Sequence, residues 1–205
     1  MKKLTRFDYL LAVAVLLGAV FVVGLLFVLR SGGPPEFGVT FSTAYTDELS
    51  LDYQEVFVAL LDDLEVRKFR IPVYWDRIES VRGQYDWTEL DWMLNEAVGR
   101  EGVEITLAIG CKVPRWPECW HPDWVDQLSD QDRDQAILEM IAAVVTHVGE
   151  NPSVTRWQIE NEPFLAFGGG CPAMSPEFVQ QEIDLVRSLD DRPIQMTSLG
   201  KQEPW

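Results

Sequence analysis

Apolar positions along this chain alternate between short continuous runs and 3.6-residue periodicities. Phe37-Gly38-Val39-Thr40-Phe41-Ser42 is apolar and β-branched and predicts a first strand. Tyr53, Phe57, Leu60, Leu61 and Leu64 then fall at helical spacing, predicting a helix from Leu51 to Leu64. Ser50 is its expected cap, and Asp52 suits its positive end. Phe69-Arg70-Ile71-Pro72-Val73-Tyr74-Trp75 reads as a second strand, followed by a helix with Leu90, Met93, Leu94, Ala97 and Val98 on one face. Gly99 or Gly102 ends that helix. Val103 to Gly110 is a third strand, and Cys111 to Trp124 is an irregular loop rich in Trp and Pro. Ser129, with Asp132 three residues on, opens a helix carrying Ile137, Met140, Ile141, Val144, Val145 and Val148. Val154 to Glu160 is a fourth strand. Ser175-Pro176-Glu177 starts a helix with Val179, Ile183 and Val186 buried, and Pro193 to Ser198 is a fifth strand.

Four strand–helix alternations and a fifth strand predict a parallel α/β sheet with right-handed crossovers. Two closures stay open at this level, a doubly wound open sheet and a (β/α)8 barrel. Ser42-Thr43-Ala44-Tyr45 after the first strand holds no glycine, so a phosphate-cradling loop is not expected there. In either closure the strand C-termini are the functional end.

A basic start, Met1-Lys2-Lys3-Leu4-Thr5-Arg6, precedes an uncharged apolar run reaching Leu29. That length suits the roughly 20 residues of a membrane-spanning helix. The expected organisation is a basic cytoplasmic tail over 1–8, a transmembrane signal anchor over 9–30, a linker over 31–36 and a domain over 37–205. The domain would then lie on the exo-cytoplasmic side, with a cleaved signal peptide as the alternative. The formal net charge of −16 argues against nucleic acid as a partner and leaves a neutral ligand open. Cys119 and Cys171 lie in loops after different strands and are candidates for a disulfide in an oxidising compartment, leaving Cys111 over. The sharper alternative, zinc held by the cysteines and His121, lacks a C-x-x-C pair. No metal or cofactor is expected.

Candidate chemistry gathers at Trp157-Gln158-Ile159-Glu160-Asn161-Glu162-Pro163. Pro163 cannot extend a ladder, so Asn161 and Glu162 should stand at a strand's end. The bland reading of Glu162 is a solvated loop carboxylate. Arg70 lies inside an apolar strand and needs paired acceptors, with Glu160 or Glu162 the candidates. Trp75, Trp116, Trp120 and Trp124 lie at or beyond strand ends, as do the polar loop residues Lys112 and His121. His147, late on its helix, reads as a charge at a helix C-terminus.

The Phe69–Trp75 and Trp157–Pro163 stretches, with Gly83-Gln84-Tyr85-Asp86-Trp87 between them, resemble motifs of retaining glycoside hydrolases. The resemblance is to the (β/α)8 superfamily of cellulases, mannanases and β-galactosidases, clan A, and covers the chain from Phe37 onward. It implies a TIM-barrel fold and a carbohydrate substrate. Glu162 aligns with the general acid/base, Asn161 with the amide on the sugar 2-hydroxyl, and Arg70 with the arginine that orients the nucleophile. Trp75, Trp116, Trp120 and Lys112 become candidate substrate contacts.

The family's nucleophile is a glutamate ending strand seven, and this chain stops after its fifth strand. Glu203 comes too early, and Glu79 and Glu160 occupy other motif positions. The expectation is therefore an incomplete barrel of about five strands and four helices, the acid/base half of a glycosidase. A second chain or self-association is the candidate for the missing half. A non-catalytic carbohydrate-binding or structural half-barrel is the alternative.

Overall fold

The computed structural model describes residues 6, 15–22, 36–166 and 171–198. Residues 1–37 and 38–205 form separate compact units. Residues 15–22 are helical. Among the described residues no helix is long and apolar enough to cross a membrane, so the expected transmembrane helix is not supported. Most of the 9–30 segment lies outside the described residues, as do the Gly168-Gly169-Gly170 run and Glu203.

Five parallel strands run β1 Val39–Thr40, β2 Lys68–Pro72, β3 Glu104–Ile109, β4 Val154–Ile159 and β5 Ile194–Gln195. They lie side by side in sequence order. A doubly wound sheet reverses its order at a switch point. This sheet does not, so it winds as a segment of a barrel.

Strand parity assigns each face. Phe69 and Ile71 of β2, Ile105, Leu107 and Ile109 of β3, and Trp157 and Ile159 of β4 pack into the main core. The helices α2 Tyr53–Asp62, α4 Thr88–Val98, α5 Asp130–Val148 and α6 Pro176–Leu189 supply the facing residues, among them Phe57, Leu94, Met140 and Val186. Phe57 alone meets Phe41 and Phe69, each with ring centroids 5.0 Å away. The alternate positions Thr40, Arg70, Ala108 and Gln158 point to the opposite, barrel-interior side. The same alternation that builds the core therefore lines up Arg70 with Gln158.

Local capping decides the helix boundaries. Ser175 Oγ accepts from Phe178 N at 3.1 Å, and Ser129 Oγ accepts from Asp132 N at 3.2 Å. The cap of α2 is a correction: Asp52 Oδ1 accepts from Gln54 N at 2.7 Å, and Ser50 is not the cap. Ser50 and Leu51 instead fold back, with their amides on Asp47 O and Thr46 O. That return closes α1, Thr43–Glu48, which Ser42 caps by accepting from Tyr45 N at 3.1 Å. Nothing in the polar run Ser42–Ser50 shows a helical apolar stripe, so α1 was not expected. A further short helix, α3 Trp75–Ile78, follows β2 directly.

His147 lies in the last turn of its helix, as read from the sequence, and makes two further contacts. It stacks on Trp87 with ring centroids 4.2 Å apart and bonds Asp91 at 2.6 Å, tying α5 to α4.

Candidate active site

The site begins with Arg70 on the interior face of β2. A guanidinium there must find acceptors, and its neighbours across the sheet supply them. Nε donates to Gln158 Oε1 at 2.7 Å, and Nη2 donates to Asn161 Oδ1 at 2.6 Å. Both partners are neutral amides, whereas Glu160 or Glu162 was expected. Burial pulls the Arg70 pKa down, with Glu118 and Glu162 nearby opposing the shift. Gln158 is itself held, because its Nε2 donates to Glu160 O at 2.9 Å.

Asn161 is the hub. Its Oδ1 also accepts from Thr197 Oγ1 at 3.0 Å, just beyond β5, and its Nδ2 donates to Glu118 Oε2 at 2.7 Å. Thr197 Oγ1 accepts from Glu162 N at 3.1 Å as well, so one hydroxyl sets two consecutive residues. Asn161 lies between two non-glycine residues in the left-handed region, Glu160 at φ 58° and Glu162 at φ 48°. Such conformations persist only where surrounding bonds enforce them, and they gather at functional sites.

Glu162 is half-buried, and its carboxylate lies within electrostatic reach of Arg70, Lys112 and Glu118. Glu118 is half-buried too, and desolvation is the main cause of its raised pKa. A groove of ≈ 400 Å³ opens over Glu118 and Asn161, lined also by Thr40, Arg70, Pro114, Arg115 and Trp116. Polar residues converge there beside one exposed indole, so hydrogen-bonding groups and an apolar ring face share one opening.

Glu160 behaves quite differently from its neighbour two residues on. It is fully buried and accepts from Cys111 N at 2.8 Å and from Lys112 N. Gly110 makes room for it: at φ 125°, a Cβ there would sit 2.2 Å from Glu160 Oε1. Across it, from α6, stands the equally buried Glu182. Burial raises both carboxyls, Glu160 to about 7.

Several expected substrate contacts prove structural. Trp75 is fully buried, donates Nε1 to Glu79 Oε2 at 2.7 Å and meets Trp124 edge-on at 5.5 Å. It cannot stack on a sugar. Lys112 is likewise inaccessible: its Nζ reaches the carbonyls of Pro163, Leu165 and Pro172, so the ammonium finds acceptors inside the protein. It pins the loops after β4 to the loop after β3. Trp120 is half-buried, packs on Tyr74 at 4.4 Å between centroids and donates to Arg115 O. Trp116 is 69% exposed and lines the groove.

Cys119 and Cys171 form a disulfide, Cα atoms 5.4 Å apart, and Cys111 is buried as a free thiol. Among the described residues no group of three or more His, Cys, Asp or Glu side chains is arranged to hold a metal. The zinc alternative therefore has no support from the described residues. Labelling under denaturing, non-reducing conditions is expected to modify Cys111 alone, as read by peptide mass. Modification of Cys119 and Cys171 without reductant would contradict the bridge.

No family model matches the sequence, and no curated protein matches it. Solved structures do. GH5_18 from Streptomyces cattleya in complex with GlcNAc superposes with a TM-score of 0.61 at 16% identity, over 82% of this chain and 45% of that one. A variant of the same protein, in complex with Manb1-4GlcNAc, matches with a TM-score of 0.61 at 16% identity, over 80% of this chain and 45% of that one. GH5_18 from Bifidobacterium longum subsp. infantis gives 0.60 at 14%, over 80% of this chain and 43% of that one. The likeness is one of fold. The sheet resembles part of a GH5-type TIM barrel, and the chain spans less than half the length of these neighbours.

Three site residues escaped sequence reasoning. Gln158 had a visible signal, since its parity places it on the same face as Arg70. Glu118 and Thr197 had none, because each reaches Asn161 from irregular backbone with no periodicity to extrapolate.

Proposed function

We propose that this chain carries the acid/base half of a retaining β-glycoside hydrolase site. Glu162 protonates the departing glycosidic oxygen and later deprotonates water. Asn161 bonds the sugar hydroxyl next to the anomeric carbon, and Arg70 fixes Asn161 and orients a second carboxyl. The observation that carries this reading is the Arg70–Asn161 bond at 2.6 Å across the interior of the sheet, beside Glu162. A hydrogen bond at the 2-hydroxyl strengthens as oxocarbenium character develops, so a prealigned amide is effective there.

Retention also needs a nucleophilic carboxyl about 5–5.5 Å from the acid. It is assigned here to polypeptide that closes the barrel between β5 and β1, supplied by a second chain or by self-association. β-Mannosides are the first substrates to test, because the Streptomyces neighbour variant is in complex with Manb1-4GlcNAc.

The test is hydrolysis and binding of aryl β-mannosides and β-glucosides by the full chain and Asn161→Ala. The substitution is expected to lower kcat/KM by about 10²-fold, most of it in kcat. Absence of both binding and turnover across these glycosides overturns the reading. Binding without turnover would mark a non-catalytic carbohydrate-binding protein.

A further inference from the structure

Asn161 leaves an unusual pair of groups facing the groove. Its Oδ1 is taken by two donors, Arg70 Nη2 and Thr197 Oγ1. The amide orientation is therefore fixed, since a flip would aim its NH2 at a guanidinium. One Nδ2 hydrogen goes to Glu118 Oε2 at 2.7 Å. Among the described residues the second Nδ2 hydrogen and Glu118 Oε1 make no hydrogen bond. A donor and an acceptor thus stand side by side, and both residues line the ≈ 400 Å³ groove.

Glu118 is placed there by the loop. Its φ is 74°, its O accepts from Val113 N at 2.9 Å, and its N donates to Arg115 O at 2.8 Å. The next residue, Cys119, is bonded to Cys171. Arg115 and Trp116, on the same loop, continue the groove wall.

The geometry points to Glu118 as a specificity-determining residue that, with Asn161, clamps a single sugar hydroxyl. A hydroxyl is both donor and acceptor, so it can accept from Asn161 Nδ2 while donating to Glu118 Oε1. A deoxy carbon satisfies neither group. An acetamido nitrogen donates only, and leaves the Asn161 hydrogen unpaired. Under the glycosidase reading on which this inference rests, the hydroxyl is the one adjacent to the anomeric carbon. The clamp therefore favours glycosides with a free 2-hydroxyl over 2-deoxy and 2-acetamido sugars in that position.

The experiment is an NMR titration of the full chain with methyl β-mannoside, its 2-deoxy analogue and GlcNAc. The wild type is expected to bind the free 2-hydroxyl sugar about tenfold or more tightly than the 2-deoxy analogue. In Glu118→Gln the side-chain oxygen still accepts from Asn161, but an NH2 replaces the free acceptor. The preference should fall toward one while the 2-deoxy affinity stays the same. Glu118→Ala should do likewise, and an unchanged indole shift at Trp157 checks that its core is intact.

Equal binding of the two sugars by the wild type overturns the clamp and leaves the glycosidase reading standing. So does a hydroxyl preference that survives Glu118→Gln, or a variant that weakens both sugars alike. Absence of binding for all three ligands overturns both.

Discussion

Replacing Glu162 by Gln is expected to slow hydrolysis of an alkyl β-glycoside by about 10²–10⁴-fold. The same change should slow cleavage of an activated nitrophenyl glycoside far less. An alkoxide leaves only if protonated, and an amide has no proton to give at this pH; a nitrophenolate leaves unaided. The substitution preserves volume, and the main-chain bond from residue 162 to Thr197 Oγ1 does not depend on the side chain. A plot of kcat/KM against leaving-group pKa should therefore be steeper for the variant. An equal loss on both classes would reduce Glu162 to a structural carboxylate and remove its assigned role. The geometry favours a functional one. Glu162 stands half-buried at the end of β4, beside an amide fixed by Arg70, Thr197 and Glu118.

Stability should fall as pH rises through neutrality, and Glu182→Gln should abolish most of that fall. Glu160 and Glu182 are both fully buried, and neither Glu182 oxygen finds a hydrogen-bond donor among the described residues. The two carboxyls face each other and are satisfied together only if they hold a proton between them. Cys111 N, Lys112 N and the Lys112 charge favour ionised Glu160, while Asp134 on α5 further disfavours ionised Glu182. Desolvation prevails, and Glu160 is raised to about 7 from the ordinary 4.5 of a solvated glutamate.

A raised carboxyl pKa means that the folded protein binds more protons than the unfolded chain between those two values. The stabilising contribution of Glu160 is thus complete below about pH 4.5 and lost as pH rises through about 7. In Glu182→Gln the amide can donate to Glu160, which then ionises without a shared proton. Urea melts at pH 5 and pH 8 measure the difference. Wild-type stability that is flat or rising over this interval would contradict the shared proton. The consequence reaches the site, because Glu160 holds the 110–112 turn and precedes Asn161 directly.

Much of the architecture was legible because it rests on local rules. The apolar runs of β3 and β4 were found to within one residue, β2 ends three residues earlier than expected because Trp75 opens α3, and Ser129 and Ser175 cap where their spacing places them. Asn161 and Glu162 were likewise readable at a strand's end. The errors came where local signals had competitors. Ser50 lost the cap to Asp52 because its backbone turned to close α1. Trp75 and Lys112 looked like groove residues from their strand-end positions. They face inward, each satisfied by partners more distant along the chain or in the following turn.

The sequence by itself determined the strand–helix alternation, Arg70 within an apolar strand, and the carboxylate at the end of β4. These follow from periodicities of 2 and 3.6 residues and from the inability of proline to continue a ladder. Only the tertiary structure decided barrel-type winding over a doubly wound sheet, since strand order is a long-range choice. It also separated two glutamates two residues apart. Glu160 turns into the protein against Gly110 and Glu182, while Glu162 stays half-exposed beside Asn161. Glu118 and Thr197 joined the site for the same reason: hydrogen bonds between irregular segments depend on where the folded chain brings them.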